Sequence, residues 1–348
     1  MASGTAVDVT VRGAGIFGLS IAWACLRRGA KVRVIDLLGP GAGSSGGLVG
    51  ALSPHVPETW NEKKAFQLDS LLMASGWWST VEATSGRPSG YARQGRLQPL
   101  PDLKAVEVAR HRADNAQHLW QGKADWRVIP ARGGPWEPAS PSGWLVEDTL
   151  SARISPWMAM ECLLEAIKAN GGDVVTGAAT ECGRVIHATG VPGLDALSEN
   201  LGRKIGSGVK GQALSLRYDA PTAPQLCVDG LHIVPHADGT VAIGSTSENT
   251  WDDDGPDHRL DGLLAKAVAA VPVLGTAEVL SRWAGIRPRA TSRAPLLGAW
   301  PGRPGHYVAN GGFKIGFGMA PKVAEVMADL VLDGLDTIPA AFGFDALP

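Results

Sequence analysis

The stretch Val7-Asp8-Val9-Thr10-Val11-Arg12-Gly13-Ala14-Gly15-Ile16-Phe17-Gly18, running on to Val32-Arg33-Val34-Ile35-Asp36, decides the fold. Val7, Val9 and Val11 alternate with polar residues, the period of a strand. From Ile16 the chain is almost wholly apolar up to Arg27-Arg28, which suits a helix laid against a sheet, and Gly29 ends it. Val32, Val34 and Ile35 begin a second strand that stops at Asp36. Gly13-Ala14-Gly15-Ile16-Phe17-Gly18 is therefore a GxGxxG turn between a strand and a helix, followed by a strand ending in an acid. That context makes a weak motif informative. Gly13 permits the tight turn, Gly15 lets a diphosphate approach the backbone, and Gly18 lets the helix pack close to the strand. The amides of Ile16 and Phe17 open the helix, where unpaired N–H groups and the positive dipole end face the phosphates. Asp36 would accept the ribose hydroxyls. Leu37 and Leu38 follow where a 2′-phosphate would need an arginine, so NADP is disfavoured.

Outward from this unit, helices are expected over 63–82, 102–120, 156–170, 260–271 and 318–332, with Pro156 at a first helical position. Strands are expected over 91–100, 173–176, 184–187, 212–217, 231–235, 241–244, 282–289 and 306–309. Asp238-Gly239 forms a hairpin turn. Residues 39–50 read as a Gly/Ser loop and 122–143, rich in Pro, Gly and Trp, as loops. The fold class is α/β, a Rossmann-like domain interleaved with a smaller α+β domain built on an antiparallel sheet. The boundaries read as 1–88 plus 144–204 plus 284–348 for the dinucleotide unit and 89–143 plus 205–283 for the substrate unit.

Composition narrows the class. The 45 glycines in 348 residues are nearly twice the roughly 7% of average proteins, and they sit in discrete turns rather than repeats. A net charge of −2 without a basic run argues against nucleic-acid and anionic-membrane binding. No apolar run is long enough for a transmembrane helix, and no leader-like segment precedes the first strand. Cys25, Cys162, Cys182 and Cys227 form no CxxC pair, which fits a reducing, cytoplasmic setting without structural zinc. Asp252-Asp253-Asp254 lacks His or Cys partners and reads as a solvated loop rather than a metal site.

Several further blocks fall in a recognisable order. They are Gly43-Ser44-Ser45-Gly46-Gly47-Leu48-Val49-Gly50 with Ser53-Pro54, then Val185-Ile186-His187-Ala188-Thr189-Gly190, then Ile233-Val234-Pro235 through Gly244-Ser245-Thr246. Trp283-Ala284-Gly285-Ile286-Arg287-Pro288 and Ala309-Asn310-Gly311-Gly312-Phe313-Lys314-Ile315-Gly316 follow. With the fingerprint, these make the chain resemble the FAD-dependent D-amino-acid oxidase superfamily, in its glycine oxidase and sarcosine oxidase branch. The resemblance implies FAD and oxidation of the C–N bond of an amino acid or secondary amine to an imine. It places Ser44, Ser45, Gly47, Leu48 and Val49 along the flavin and pyrophosphate. Thr189 and Gly190 would close the site, and Gly312, Phe313, Lys314 and Ile315 would lie against the cofactor.

Arg287 matches the family's substrate-carboxylate arginine. Arginine suits that task because its planar fork binds carboxylate bidentately and keeps its charge. Arg289 and Arg293 are the neighbouring alternatives, and a structural arginine is the plain one. Lys314 would assist the carboxylate, or be a solvated lysine. His232 stands where glycine oxidases tend to place a substrate-facing tyrosine; it would hydrogen-bond substrate or help keep the amine neutral, and otherwise is a structural strand residue. No cysteine lies near Gly311-Gly312, so non-covalent FAD is expected, with His187 the remaining attachment point. The segment between 173 and 185 is shorter than in the family, which leaves the adenine-side contacts open. Eight of the twelve tryptophans fall from Trp60 to Trp157. Core packing accounts for them more simply than an aromatic lid. The resemblance also admits a tRNA-modifying flavin amine oxidase or a non-catalytic flavin-binding subunit. Expected partners are a small amine or amino acid, oxygen or another acceptor, and a possible second copy of the chain.

Overall fold

The computed structural model describes residues 7–348, so the reading of a missing leader, which concerns 1–6, lies outside the described residues. Two sheets organise the chain. The first has six strands in the order Leu296–Ala299, His306–Asn310, Arg184–His187, Val9–Arg12, Val32–Asp36 and Asp173–Thr176. Its strands are parallel except for the Leu296–Ala299 edge, which runs antiparallel to His306–Asn310. Consecutive strands at the chain start are parallel, so a helix must cross between them. Ile16–Arg27 is that helix, buried from Ile16 through Leu26. Fully buried Leu19 and Ile21 each contribute about 2 kcal/mol of burial.

Helices Glu62–Ser85, Pro156–Ala169 and Gly316–Ala328 share this core. Asn61 caps the first through Lys64 N, 3.1 Å away, and Gly86 ends it in the left-handed region. Alternation along His306–Asn310 sends Ala309 into this core and Val308 to the opposite face. There Val308 packs with Leu194 and Leu197 of helix Gly190–Leu201 and with Trp300.

The second sheet has eight strands, ordered Val279–Ala290, Gly206–Arg217, Thr240–Gly244, Leu231–Pro235, Gln225–Val228, Arg96–Pro99, Trp144–Asp148 and Trp126–Pro130. Only Gln225–Val228 with Arg96–Pro99 is parallel. Alternation turns Leu214, Leu216, Ile233, Val241 and Ile243 towards Leu260 and Ala267 of helix Arg259–Ala270. The opposite face of the same strands looks towards the loop 43–50, where Val49 packs on Gly244. The chain is thus an α/β protein with a mostly parallel nucleotide-type sheet and a largely antiparallel second sheet.

Several local readings change. Trp126–Pro130, inside the stretch read as loops, is the edge strand of the larger sheet. Helix Gly190–Leu201 and strands Gln225–Val228, Trp144–Asp148 and Leu296–Ala299 were not expected. Strand 91–100 shortens to Arg96–Pro99, and 212–217 extends back to Gly206–Arg217. The sequence boundary at 143/144 falls just ahead of Trp144–Asp148, which pairs in the eight-stranded sheet, and that at 283/284 falls inside Val279–Ala290.

Candidate functional site

A cavity of about 1160 Å³ runs between the two sheets. At one end lies the glycine turn. Gly13 has φ +99, and a Cβ there would sit 2.3 Å from the Ala188 carbonyl oxygen. Only glycine therefore lets the first turn lie against the turn at 188–190. Helix Ile16–Arg27 starts with no acidic residue in its first turn and no side-chain cap. The Ile16 amide donates to Ser45 Oγ at 3.0 Å, fastening the loop 43–50 beside this helix end. These features fit a diphosphate: an electropositive helix terminus, glycine backbone around it, and a hydroxyl at its rim.

Asp36 lines the cavity, but its carboxylate already accepts three backbone amides: Ala14 at 2.7 Å, and Leu38 and Gly39 at 2.9 Å each. A carboxylate offers about four lone-pair sites. Asp36 thus shapes the turn and retains capacity for a ribose hydroxyl. The loop 43–50 is pinned from the other sheet as well, by His236 Nε2 on the Leu48 carbonyl at 3.0 Å. Nothing in the sequence marked His236. Its role follows only from the pairing that brings strand Leu231–Pro235 over the loop.

At the far end the larger sheet contributes Arg287. Strand Val279–Ala290 pairs with Gly206–Arg217 so that the guanidinium lies over Gly211, where a Cβ would fall 1.9 Å from Cζ. Arg287 is buried and makes one hydrogen bond, from Nη1 to the Thr246 carbonyl at 3.2 Å. Burial pulls its pKa down to about 10, with Glu248 opposing, so it stays charged at neutral pH. Glu248 is held by Gln212 Nε2 at 3.0 Å and by the Thr246 hydroxyl, which ties the segment carrying that carbonyl to the strand. Lys314 reaches the same cavity; partial burial first and Arg287 second lower its pKa. Among the described residues neither cation has a carboxylate within salt-bridge distance.

His232 also lines this end, and its Nδ1 is buried without a hydrogen-bond partner. Burial, then the charges of Arg96 and Lys314, hold its pKa at about 4, so the ring is neutral at pH 7. Trp251 and Trp283 form the aromatic walls. None of the tryptophans from 60 to 157 reaches the cavity; Trp78 and Trp120 are fully buried in the core and Trp157 is exposed. The packing account of that cluster holds.

The cavity thus gathers Gly13, Gly15, Ile16, Phe17, Asp36, Ser44, Ser45, Gly47, Leu48, Val49, Thr189, Gly190, Gly312, Phe313 and Lys314 with Arg287 and His232. Two expected residues stay off its surface. Gly18 instead lies under the turn, where a Cβ would be 1.8 Å from the Gly13 carbonyl oxygen, and Ile315 packs on the hydrophobic core. Among the described residues no cysteine lines the cavity and no group of acidic, His or Cys side chains could hold a metal. Asp253 and Asp254 serve their own loop, Asp254 accepting from Trp251 Nε1 at 2.7 Å.

Both His187 and His232 have pKa values near 4 in the fold, against 6.5 in a free chain. Between pH 6.5 and 4 the unfolded chain therefore binds more protons than the folded one, and stability falls as pH falls through that window. Thermal unfolding should show the melting temperature dropping from pH 6.5 towards 4. His232→Leu should drop less steeply than the parent. Equal slopes would mean that His232 titrates normally in the fold.

A dinucleotide turn and a guanidinium without a counter-ion, brought to one cavity by two different sheets, place the chain in the class of nucleotide-cofactor proteins. The chain belongs to the DAO family, the FAD dependent oxidoreductases, whose model matches residues 8–330. It is 25% identical over 370 residues to a glycine oxidase of Geobacillus kaustophilus, covering 93% of this chain and 92% of that one. It is 25% identical over 356 residues to a bifunctional ThiO/ThiG protein of Trichormus variabilis. That alignment covers 94% of this chain but spans only 53% of the relative's length, as with a second ThiO/ThiG protein from Nostoc. The crystal structure of glycine oxidase from Geobacillus kaustophilus superposes with a TM-score of 0.86 at 20% identity, over 97% of this chain and 98% of the other. FAD is the cofactor of this family, and the glycine turn, the loop 43–50 and residues 312–314 are the parts whose chemistry fits it. Among the described residues no helix is long and apolar enough to cross a membrane.

Proposed function

We propose that the protein oxidises the C–N bond of a small amino acid or N-alkyl amino acid to an imine, which water then hydrolyses. One observation carries this reading: Arg287, buried and charged with a single hydrogen bond, faces the same cavity as the dinucleotide turn. A buried cation without a counter-ion is costly, and a substrate carboxylate would supply the missing charge. The name of the relatives called glycine oxidase supports glycine as the starting candidate.

The roles follow from position. Arg287 grips the carboxylate and Lys314 adds a second donor from the opposite element. The positive charges of Arg287 and Lys314, with neutral His232 beside them, disfavour an ammonium and hold the amine in the form that can release hydride. Trp251 and Trp283 limit water. When bound, FAD would supply the hydride acceptor, with oxygen or another electron acceptor as the final oxidant. The fingerprint residues, the loop 43–50, Gly312 and Phe313 would hold the cofactor.

We assign 1–88, 144–204 and 284–348 to FAD binding and 89–143 with 205–283 to substrate binding, and move strand Trp144–Asp148 and the whole of Val279–Ala290 to the substrate unit with their sheet. Four unpaired cysteines favour a reducing, cytoplasmic setting.

A substrate panel tests the reading. Glycine, sarcosine and small D-amino acids should release ammonia or alkylamine, and amines of equal size without a carboxylate should be turned over at least ~100-fold less efficiently, the worth of a desolvated charge pair. Equal turnover of the two classes would remove the carboxylate clamp.

A further inference from the structure

Arg287 reaches its one hydrogen bond across a strand. Gly206–Arg217 lies between Val279–Ala290, which carries Arg287, and Thr240–Gly244, which runs on to Thr246 and Glu248. Val209 pairs with Arg287 and Gly211 with Gly285, so Arg287 and Gly211 look to the same face. The guanidinium passes over Gly211 and meets the Thr246 carbonyl, 3.2 Å away, on the far side. A side chain at 211 would stand in its path, since a Cβ there would be 1.9 Å from Nη1 and 2.0 Å from Nη2.

The Thr246 carbonyl can receive Arg287 because of an exchange in the ladder. Lys210 and Glu248 bond in both directions, amide to carbonyl, at 3.0 and 2.9 Å. Two residues on, an antiparallel pair repeats that double exchange, which here would join Gln212 and Thr246. One half is made, from the Thr246 amide to the Gln212 carbonyl at 3.2 Å. In the other half the Gln212 amide donates to Thr246 Oγ1, at 2.8 Å, instead of to the carbonyl. The hydroxyl thus stands in for the carbonyl of its own residue, and that carbonyl serves Arg287. A hydroxyl has one proton to donate and lone pairs to accept with. Glu248 takes the proton, which leaves the lone pairs to the Gln212 amide. The Glu248 side chain is only 9% exposed and is held by Gln212 Nε2 at 3.0 Å and Arg259 Nη1 at 3.3 Å. Gln212 is fully buried, and its Oε1 accepts from the Asp257 amide at 2.7 Å, which fixes the direction of its side-chain amide.

We propose that Thr246 is a positioning residue for substrate binding: with Glu248 orienting its hydroxyl and Gly211 clearing the path, it aims the Arg287 guanidinium at the substrate carboxylate. This rests on the reading of Arg287 as the carboxylate clamp. A single bond at Nη1 fixes the plane of the fork and leaves Nε and Nη2 for a bidentate carboxylate. Without that bond a long side chain would have to be ordered at the moment of binding, at a cost in affinity.

Steady-state kinetics of the holoprotein tests this, with glycine or the best amino acid of the panel above, and with FAD content as a control. Thr246→Val keeps the shape of the side chain but not its hydroxyl, so the Gln212 amide should recapture the carbonyl. KM should rise about tenfold, the worth of one hydrogen bond to a charged group, with kcat and FAD content unchanged. Thr246→Ser should keep the parent KM. A parent KM in Thr246→Val would overturn the proposal, as would an equal rise in Thr246→Ser or a loss of FAD that accompanies the rise. Should Thr246→Val fail to fold, Glu248→Gln decides, because it leaves the hydroxyl in place and removes its charged acceptor: a raised KM supports the proposal and a parent KM overturns it. Arg287→Ala separates this step from the reading beneath it. If that variant is impaired and Thr246→Val is not, the clamp stands and the positioning role falls. If Arg287→Ala behaves as the parent, both fall.

Discussion

Replacing Arg287 by alanine should lower kcat/KM for an amino acid by about a hundredfold to a thousandfold, while the protein stays yellow. Truncating one partner of a desolvated charge pair costs about 3–5 kcal/mol, and each 1.36 kcal/mol is a factor of ten. The loss is large because Arg287 is buried, so its removal would leave a carboxylate beside it without a partner. It should fall on kcat/KM of carboxylate substrates and leave carboxylate-free amines untouched. FAD should remain because the fingerprint end of the cavity belongs to the other sheet. The change also relieves a buried charge, so the variant should fold at least as stably as its parent. Steady-state kinetics with both substrate classes checks this, and unchanged constants would take Arg287 out of the site.

The second large effect lies at Gly13. Gly13→Ala should abolish FAD retention. At φ +99 an L-residue is strained by about 1–3 kcal/mol, and the new methyl would meet the Ala188 carbonyl at 2.3 Å. Neither side can yield cheaply, since both are backbone at the carboxyl ends of neighbouring strands. The two turns must separate, and they form the floor on which the diphosphate rests. Gly15→Ala distinguishes lost binding from lost folding. Its Cβ would meet only the Ser45 hydroxyl, at 3.2 Å, a side chain that can rotate away. That variant should keep its melting temperature as apoprotein yet bind FAD at least tenfold more weakly, because the methyl points where the diphosphate would approach. Normal FAD content in both would move the cofactor away from this turn.

The fingerprint was legible because it is local. A strand, a glycine turn, a buried helix and a second strand follow one another within 9–36, and each is specified by its own residues. The same is true of Asn61 and Asp102, whose side chains cap the helices that follow them. Elements that depend on distant partners were not legible. Trp126–Pro130 reads as a loop because it is an edge strand, short and ended by proline, and only Trp144–Asp148 makes it a strand. Gly206–Arg217 begins Gly-Ser-Gly-Val-Lys-Gly, a poor strand signal. It pairs along its whole length because Val279–Ala290 and a buried Lys210, tied to Asp257 at 3.5 Å, hold it. Helix Gly190–Leu201 opens on Gly-Val-Pro-Gly, which looks like a turn.

The site divides in the same way. Its glycines and Asp36 follow from the motif, and Arg287, Lys314 and His232 from the family resemblance. Trp251 and His236 follow only from how strands are ordered and paired. Nothing at their own positions announces the cavity.

The most direct test is the visible spectrum of the purified holoprotein under anaerobic conditions as glycine or sarcosine is added. The account predicts oxidised-flavin absorbance at the start and its loss on mixing, with Arg287→Ala keeping the colour but losing the bleaching. A colourless protein that cannot be reconstituted with FAD would contradict it, as would flavin bands that persist through a full panel of amino acids and amines.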